Sequence, residues 1–215
     1  MRSKLILGKE PWLTMAMEQW AQCDPELELV AVNVAVDANY CFDLTRLDAI
    51  DPVSHSGFVA WGPEFLNFQR LELMNELKKR GFKMPPLCSP NANISQSAKL
   101  MENAWIEPFS VIGPDVTIEM NVHVGSHVVI GQSCTVKKHA WIADAVRLSS
   151  DALVGSNAYV GPRTEVLSHV KIGRQAWIEN TPRIDQNWPA YGFALHRSDL
   201  KGQIIDHTRP VKTEV

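Results

Sequence analysis

The chain has 215 residues, 45% apolar and 21% charged, with a formal net charge of -3 and a sequence pI near 6.2. That is enough apolar material for one large domain or two small ones. The mild acidity excludes a nucleic-acid binder held by phosphate contacts and a polybasic membrane anchor, and no apolar stretch approaches the roughly 18 residues that cross a bilayer.

The opening MRSKLILGKEPW is basic, but its apolar run is too short for a signal peptide. Lys4 to Leu7 reads as a first strand. Trp12 to Cys23 reads as a helix, with Pro11 suited to its first turn. Leu27 to Asp37 reads as a buried strand, and Phe58 to Trp61 as a short strand closed by Gly62 and Pro63. Glu64 to Arg80 is predicted as one helix, with an apolar stripe of Phe65, Phe68, Leu71 and Met74 and with Gly81 ending it. A further strand around Lys83 to Leu87 leads out. Residues 1–88 are therefore expected to form a small open α/β layer. Cys23, Cys41, Cys88 and Cys134 form no CxxC pair and read as reduced thiols, which places the chain in the cytoplasm.

From Ile94 to Ile178 every sixth residue is Ile, Leu or Val. Two residues earlier runs a second column, from Ala92 to Ala176, in which every member is small or β-branched. Such a period fits a triangular parallel β-helix in which each hexapeptide makes one short strand and one corner. The fifteen hexapeptides give about five coils over residues 89–180. Several glycines, Gly131 among them, directly follow the large column, where the chain turns and a side chain would interfere. Residues 181–215 leave the register and are read as a C-terminal cap or tail.

This two-part layout resembles the bacterial sugar acyltransferases of the sialic acid O-acetyltransferase and UDP-amino-sugar N-acetyltransferase type. The segment from Gly62 to Leu100 carries the likeness: a helix, a glycine, a strand and then Pro90 and Ala92 lead into the first coil. The resemblance implies a small Rossmann-like nucleotide-sugar domain followed by a left-handed β-helix, assembled as a homotrimer. It implies transfer of an acyl group from acetyl-CoA or another acyl-CoA to an amino or hydroxyl group of a nucleotide sugar, in surface polysaccharide synthesis. It places acyl-CoA in a groove between two prisms, beside Trp141 and the turn glycines Gly155, Gly161 and Gly173. The nucleotide sugar would lie near Gly8, Lys9, Asp37 and Gly62.

The family carries a His-Asp/Glu-Cys run in one mid-prism hexapeptide. Here Cys134 keeps the cysteine, while the base position falls on Gln132 and its helper on Ser133. An amide cannot act as a base at neutral pH. The proton would then go to a corner histidine, His139 or His127, across a subunit interface, with Gln132 hydrogen-bonding the acceptor. The alternative is a non-catalytic sugar-binding or scaffold protein of the same fold. Trp105, Trp141 and Trp177 share one outward register with Tyr159, and are expected at a trimer contact or under a cofactor base. His123 and His127 do not have the spacing of a metal pair on this fold, so no metal is expected.

Overall fold

The computed structural model describes residues 3–39, 41–179 and 181–195. In the N-terminal part, β1 (Ser3–Gly8), β2 (Glu28–Asn33) and β3 (His55–Ala60) form a parallel sheet in the order β2-β1-β3. Helices α1 (Trp12–Cys23) and α2 (Phe68–Lys79) lie on its two faces. Strand β1 alternates between them: Leu5 and Leu7 pack with Leu73, Met74 and Leu77 of α2, while Ile6 packs with Leu13, Ala16 and Trp20 of α1. With both faces covered, β1 is buried throughout.

Three N-terminal elements differ from the sequence reading. The strand expected around Lys83 to Leu87 does not form over residues 83–86; only Leu87–Cys88 is a strand, and it belongs to the solenoid. Strand β2 is an edge strand, so only Val32 within it is fully buried. The helix expected over residues 64–80 is broken. Phe65, Leu66 and Asn67 adopt left-handed backbone with φ of 52°, 53° and 63°, and α2 begins only at Phe68. Phe65 and Phe68 are therefore exposed, and the buried face of α2 is Arg70, Leu73, Met74 and Leu77. The break turns Asn67 inward, where its Nδ2 donates to the carbonyls of Asn121 at 3.3 Å and His139 at 3.0 Å.

From Leu87 the chain winds as a parallel β-solenoid of about six turns. Two-residue strands stack into three sheets of seven, six and five strands, each strand pairing with the one 18 residues away over most of the length. The large and small columns, from Ala104 through Ile178, fill the interior. The solenoid sheets run past residues 89–180 at both ends. Leu87–Cys88 pairs with Trp105–Ile106, Arg183–Ile184 pairs with Glu165–Val166, and Phe193–Leu195 pairs with Trp177–Glu179. Residues 181–195 thus add solenoid strands instead of lying over the end as a cap, because an unpaired strand edge is best satisfied by further strands. Residues 196–215 of the expected tail lie outside the described residues.

The left-handed corners fall three residues after the large column, at Asn121, His127, Ser133 and His139 among others. The glycines after the large column have a different function. A Cβ on Gly131 would stand 2.8 Å from the Ser150 nitrogen of the next coil, so these glycines serve coil-to-coil approach rather than left-handed backbone.

Candidate functional site

One solenoid sheet presents an outward column in which Trp105, His123, Trp141, Tyr159 and Trp177 pair in succession. His123 stacks on Trp141 with ring centroids 3.7 Å apart, and Tyr159 stacks on Trp177 at 4.1 Å. Helix α1 covers the lower part of the column. Trp12 sets its ring edge-on to Trp105, His123 and Trp141, and Gln19 exchanges hydrogen bonds with the Trp105 indole and the Ile106 carbonyl. Trp105 and Trp141 are buried within the chain by this helix. They do not reach solvent as a trimer contact would require.

Beside the column a cavity of about 320 Å³ opens between the two parts of the chain. Trp12, Met15 and Pro63 line it from the N-terminal side, and Glu107, His123, Trp141, Ala143, Asp144, Tyr159 and Pro162 from the solenoid. His123 is 2% exposed, and its Nε2 lies 2.9 Å from Glu107 Oε1. Ser126 Oγ donates to Glu107 Oε2 at 2.8 Å, and the Ser126 amide donates to Asp144 Oδ1 at 3.0 Å. Gly125 makes the last contact possible, since a Cβ there would collide with Asp144. His123 Nδ1 is buried and has no hydrogen-bond partner among the described residues.

The electrostatics fix the proton arrangement. Burial lowers the affinity of His123 for a second proton more than the hydrogen bond and charge of Glu107 raise it, so the ring is neutral at pH 7. Burial alone would raise the Glu107 carboxyl. The hydrogen bond and charge of His123 and the bonds from Ser126 outweigh it and hold the group ionised, below its usual value. A neutral ring beside a carboxylate donates through Nε2, which leaves the lone pair on Nδ1.

The sequence-predicted residues are distributed differently. His139 is buried at the junction, with Nδ1 3.1 Å from Asn121 Nδ2, and burial pushes its pKa down to about 4. His127 is exposed on another corner, stacked on Phe109. Gln132 and Ser133 are exposed, and the Cys134 thiol points into the core to donate to the Ser149 carbonyl. His139, His127 and Gln132 are not brought together, and none lines the cavity; Trp141 does. Gly155 packs against the Arg174 nitrogen and Gly173 against Ala190, while the Gly161 amide donates to the Ile178 carbonyl. All three make coil-to-coil contacts, and none is itself a lining residue of the cavity.

Gly8, Lys9 and Gly62 do meet, at the C-terminal ends of β1 and β3. Lys9 pairs with Glu64 at 2.8 Å and lies 4.7 Å from the Trp61 ring centroid. Gly62 packs directly against the Trp12 indole nitrogen. Asp37 stands on the loop after β2, where Oδ1 accepts from the Asn39 and Cys41 amides at 2.8 Å each, beside a smaller cavity of about 260 Å³. Among the described residues no group of three His, Cys, Asp or Glu side chains forms a metal site. Sequence reasoning missed the His123–Glu107 pair. Its signal was available, since His123 fills the gap between Trp105 and Trp141 at a spacing of one coil.

Residues 97–132 match the family model of the bacterial transferase hexapeptide (six repeats). Among curated proteins no sequence match is found. Among solved structures, the chain is similar to a histidine-to-asparagine mutant of perosamine N-acetyltransferase from Caulobacter crescentus in complex with CoA and GDP-perosamine. The TM-score is 0.80 at 19% identity, covering 95% of this chain and 97% of that one. The acetyltransferase domain of PglB from Neisseria gonorrhoeae, in complex with acetyl coenzyme A, matches with TM-score 0.70 at 20% identity over 90% of this chain and 95% of its own. WeeI from Acinetobacter baumannii matches with TM-score 0.60 at 15% identity over 94% and 100%. The fold is that of the hexapeptide-repeat sugar N-acetyltransferases, in keeping with the resemblance seen in the sequence.

Proposed function

We propose that this chain transfers an acyl group from acyl-CoA to an amino or hydroxyl group of a nucleotide-activated sugar, for surface polysaccharide synthesis. The observation that carries the reading is the His123–Glu107 pair, with its unpartnered Nδ1, on the wall of a cavity between α1 and the solenoid. The same overall fold in another chain holds CoA and GDP-perosamine.

In this reading His123 is the base. Its Nδ1 takes the proton of the acceptor as the acceptor nitrogen or oxygen attacks the thioester carbonyl. The carbon–sulfur bond breaks, and the proton passes from His123 to the departing CoA sulfur. Glu107 holds the ring orientation through Nε2 and stabilises the imidazolium that forms. An amine is the better acceptor here, because a neutral amine is a stronger nucleophile than a hydroxyl and needs less help from the base. His139 then serves the junction, and Gln132 and His127 lie outside the chemistry.

The finer architecture follows the same reading. The solenoid is left-handed, and the β2-β1-β3 layer is a Rossmann-like nucleotide-sugar domain with its ligand loops at Gly8, Lys9, Asp37 and Gly62. Three copies assemble through the solenoid, where Phe109, Val111 and Val129 are exposed apolar residues. Acyl-CoA lies in the groove between copies, near Trp141. Four free thiols suit a reducing cytoplasm. The test is a crystal structure with CoA and a nucleotide amino sugar, chosen by screening a panel for thiol release. The sugar amine is expected within hydrogen-bond distance of His123 Nδ1. An amine bound instead at His127 or His139 would overturn the assignment.

A further inference from the structure

A second and larger cavity, about 650 Å³, lies at the N-terminal ends of β1 and β3, the end of the sheet away from Gly8 and Gly62. Lys4, Trp20, Ser56 and Lys83 line it, with Asp24 as its one carboxylate-bearing lining residue. Lys4 is only 2% exposed. Its ammonium sits 3.7 Å from the Trp20 ring centroid, and among the described residues no carboxylate pairs with it. The Trp20 indole N–H is also buried, without a hydrogen-bond partner among the described residues. Lys83 forms no ion pair among the described residues.

A buried ammonium held by a ring face alone, beside an unsatisfied N–H, is an expensive arrangement for a folded protein. Burial has already pushed the Lys4 pKa down to about 8, so at pH 7 the amine still carries its proton. Two cations, Lys4 and Lys83, face this cavity with the single carboxylate of Asp24, and neither cation is ion-paired among the described residues. A volume of this size suits a metabolite rather than a single ion.

We propose that this rear cavity binds a small organic anion, a phosphate monoester or a carboxylate, whose charge is met by Lys4 and Lys83 and whose oxygen takes the Trp20 N–H. The site is separate from the acyl-transfer cavity: Trp12 at the start of α1 lines one, and Trp20 near its end lines the other.

Calorimetric titration of the full chain with inorganic phosphate, glucose 6-phosphate and malonate, at ionic strength fixed with sodium chloride, tests this. At least one is expected to bind in competition with excess chloride. Lys4→Met and Lys83→Gln should each weaken it at least about tenfold, as expected for loss of a charge-assisted contact, while acetyl-CoA affinity stays unchanged. Binding of glucose 6-phosphate without malonate assigns a phosphate, and the reverse assigns a carboxylate. Should Lys4→Met fail to fold, the exposed Lys83→Gln decides alone. No binding above the chloride background, or binding that Lys83→Gln leaves intact, overturns the proposal.

Discussion

His123 illustrates how one side chain acquires a chemical role from three separate parts of the sequence. Glu107 reaches it from the preceding coil, Trp141 stacks on it from the following coil, and Trp12 closes over it from α1. Its proton affinity is a direct check on that arrangement. The His123 ring should titrate below its usual value of 6.5 by NMR, because burial dominates. Glu107→Gln removes a charge that favours the imidazolium and should move the midpoint lower still; a rise would contradict the pairing. His139 gives a second test, in stability. It is neutral in the folded chain down to about pH 4, whereas an unfolded histidine protonates near 6.5. Stability is therefore full above 6.5 and is lost as pH falls toward 4, since the unfolded chain takes up the proton first. His139→Asn, which continues the column of Asn103, Asn121 and Asn157 at that corner, should flatten the loss seen by urea denaturation between pH 7 and pH 5. An unchanged pH dependence would show that His139 is not held neutral. The sequence pointed to His139 and His127 because both stand at corners, but a corner residue's burial depends on what packs over it. Here α2 and the 64–67 turn cover His139 and leave His127 open, and neither fact is encoded in the hexapeptide register.

At the scale of elements, α2 is tied to the solenoid by one buried arginine. Arg70 donates to the carbonyls of Val59, Asn103 and Asn121 at 2.9 to 3.1 Å and has no carboxylate partner among the described residues. Burial brings its pKa down to about 9, yet it stays charged at pH 7. Arg70→Met would leave the buried Val59 and Asn103 carbonyls without the arginine, while the Asn121 carbonyl keeps its bond from Asn67, and should cost about 2 kcal/mol or more in urea denaturation. A loss under about 1 kcal/mol would show that water replaces the guanidinium. The 3.6-residue period over 64–80 suggested a continuous helix with its phenylalanines inside. A polar anchor on the same helix overrode that pattern, because satisfying Asn67 and Arg70 against the corner requires the left-handed break. By contrast β1 and α1 were legible: alternation along Leu5 to Leu7 and the span Trp12–Cys23 both match. In those elements burial follows local pattern, with no competing polar docking. The solenoid register extended further than the fifteen positions read from it. Ile184 falls on the next large-column step and is 3% exposed, but the prolines around it obscured the continuation.

For the whole molecule, the interior column makes the solenoid a single cooperative stack, and its assembly depends on what the outer faces offer. Val111 and Val129 pair on one sheet and are 41% and 37% exposed, with Phe109 at 58% on the adjoining corner. Val129→Asp should convert a trimer in sedimentation velocity to a monomer, while far-UV dichroism stays the same. A wild-type chain that sediments as a monomer would remove the intersubunit groove from the account. The chemistry rests on the cavity, and the single-turnover rate of acyl transfer from acetyl-CoA to a nucleotide amino sugar tests it. His123→Asn should lower that rate at least about a hundredfold, in the range expected for loss of a general base, with acetyl-CoA affinity retained. A variant that transfers the acyl group as fast as the native chain would show that the base lies elsewhere.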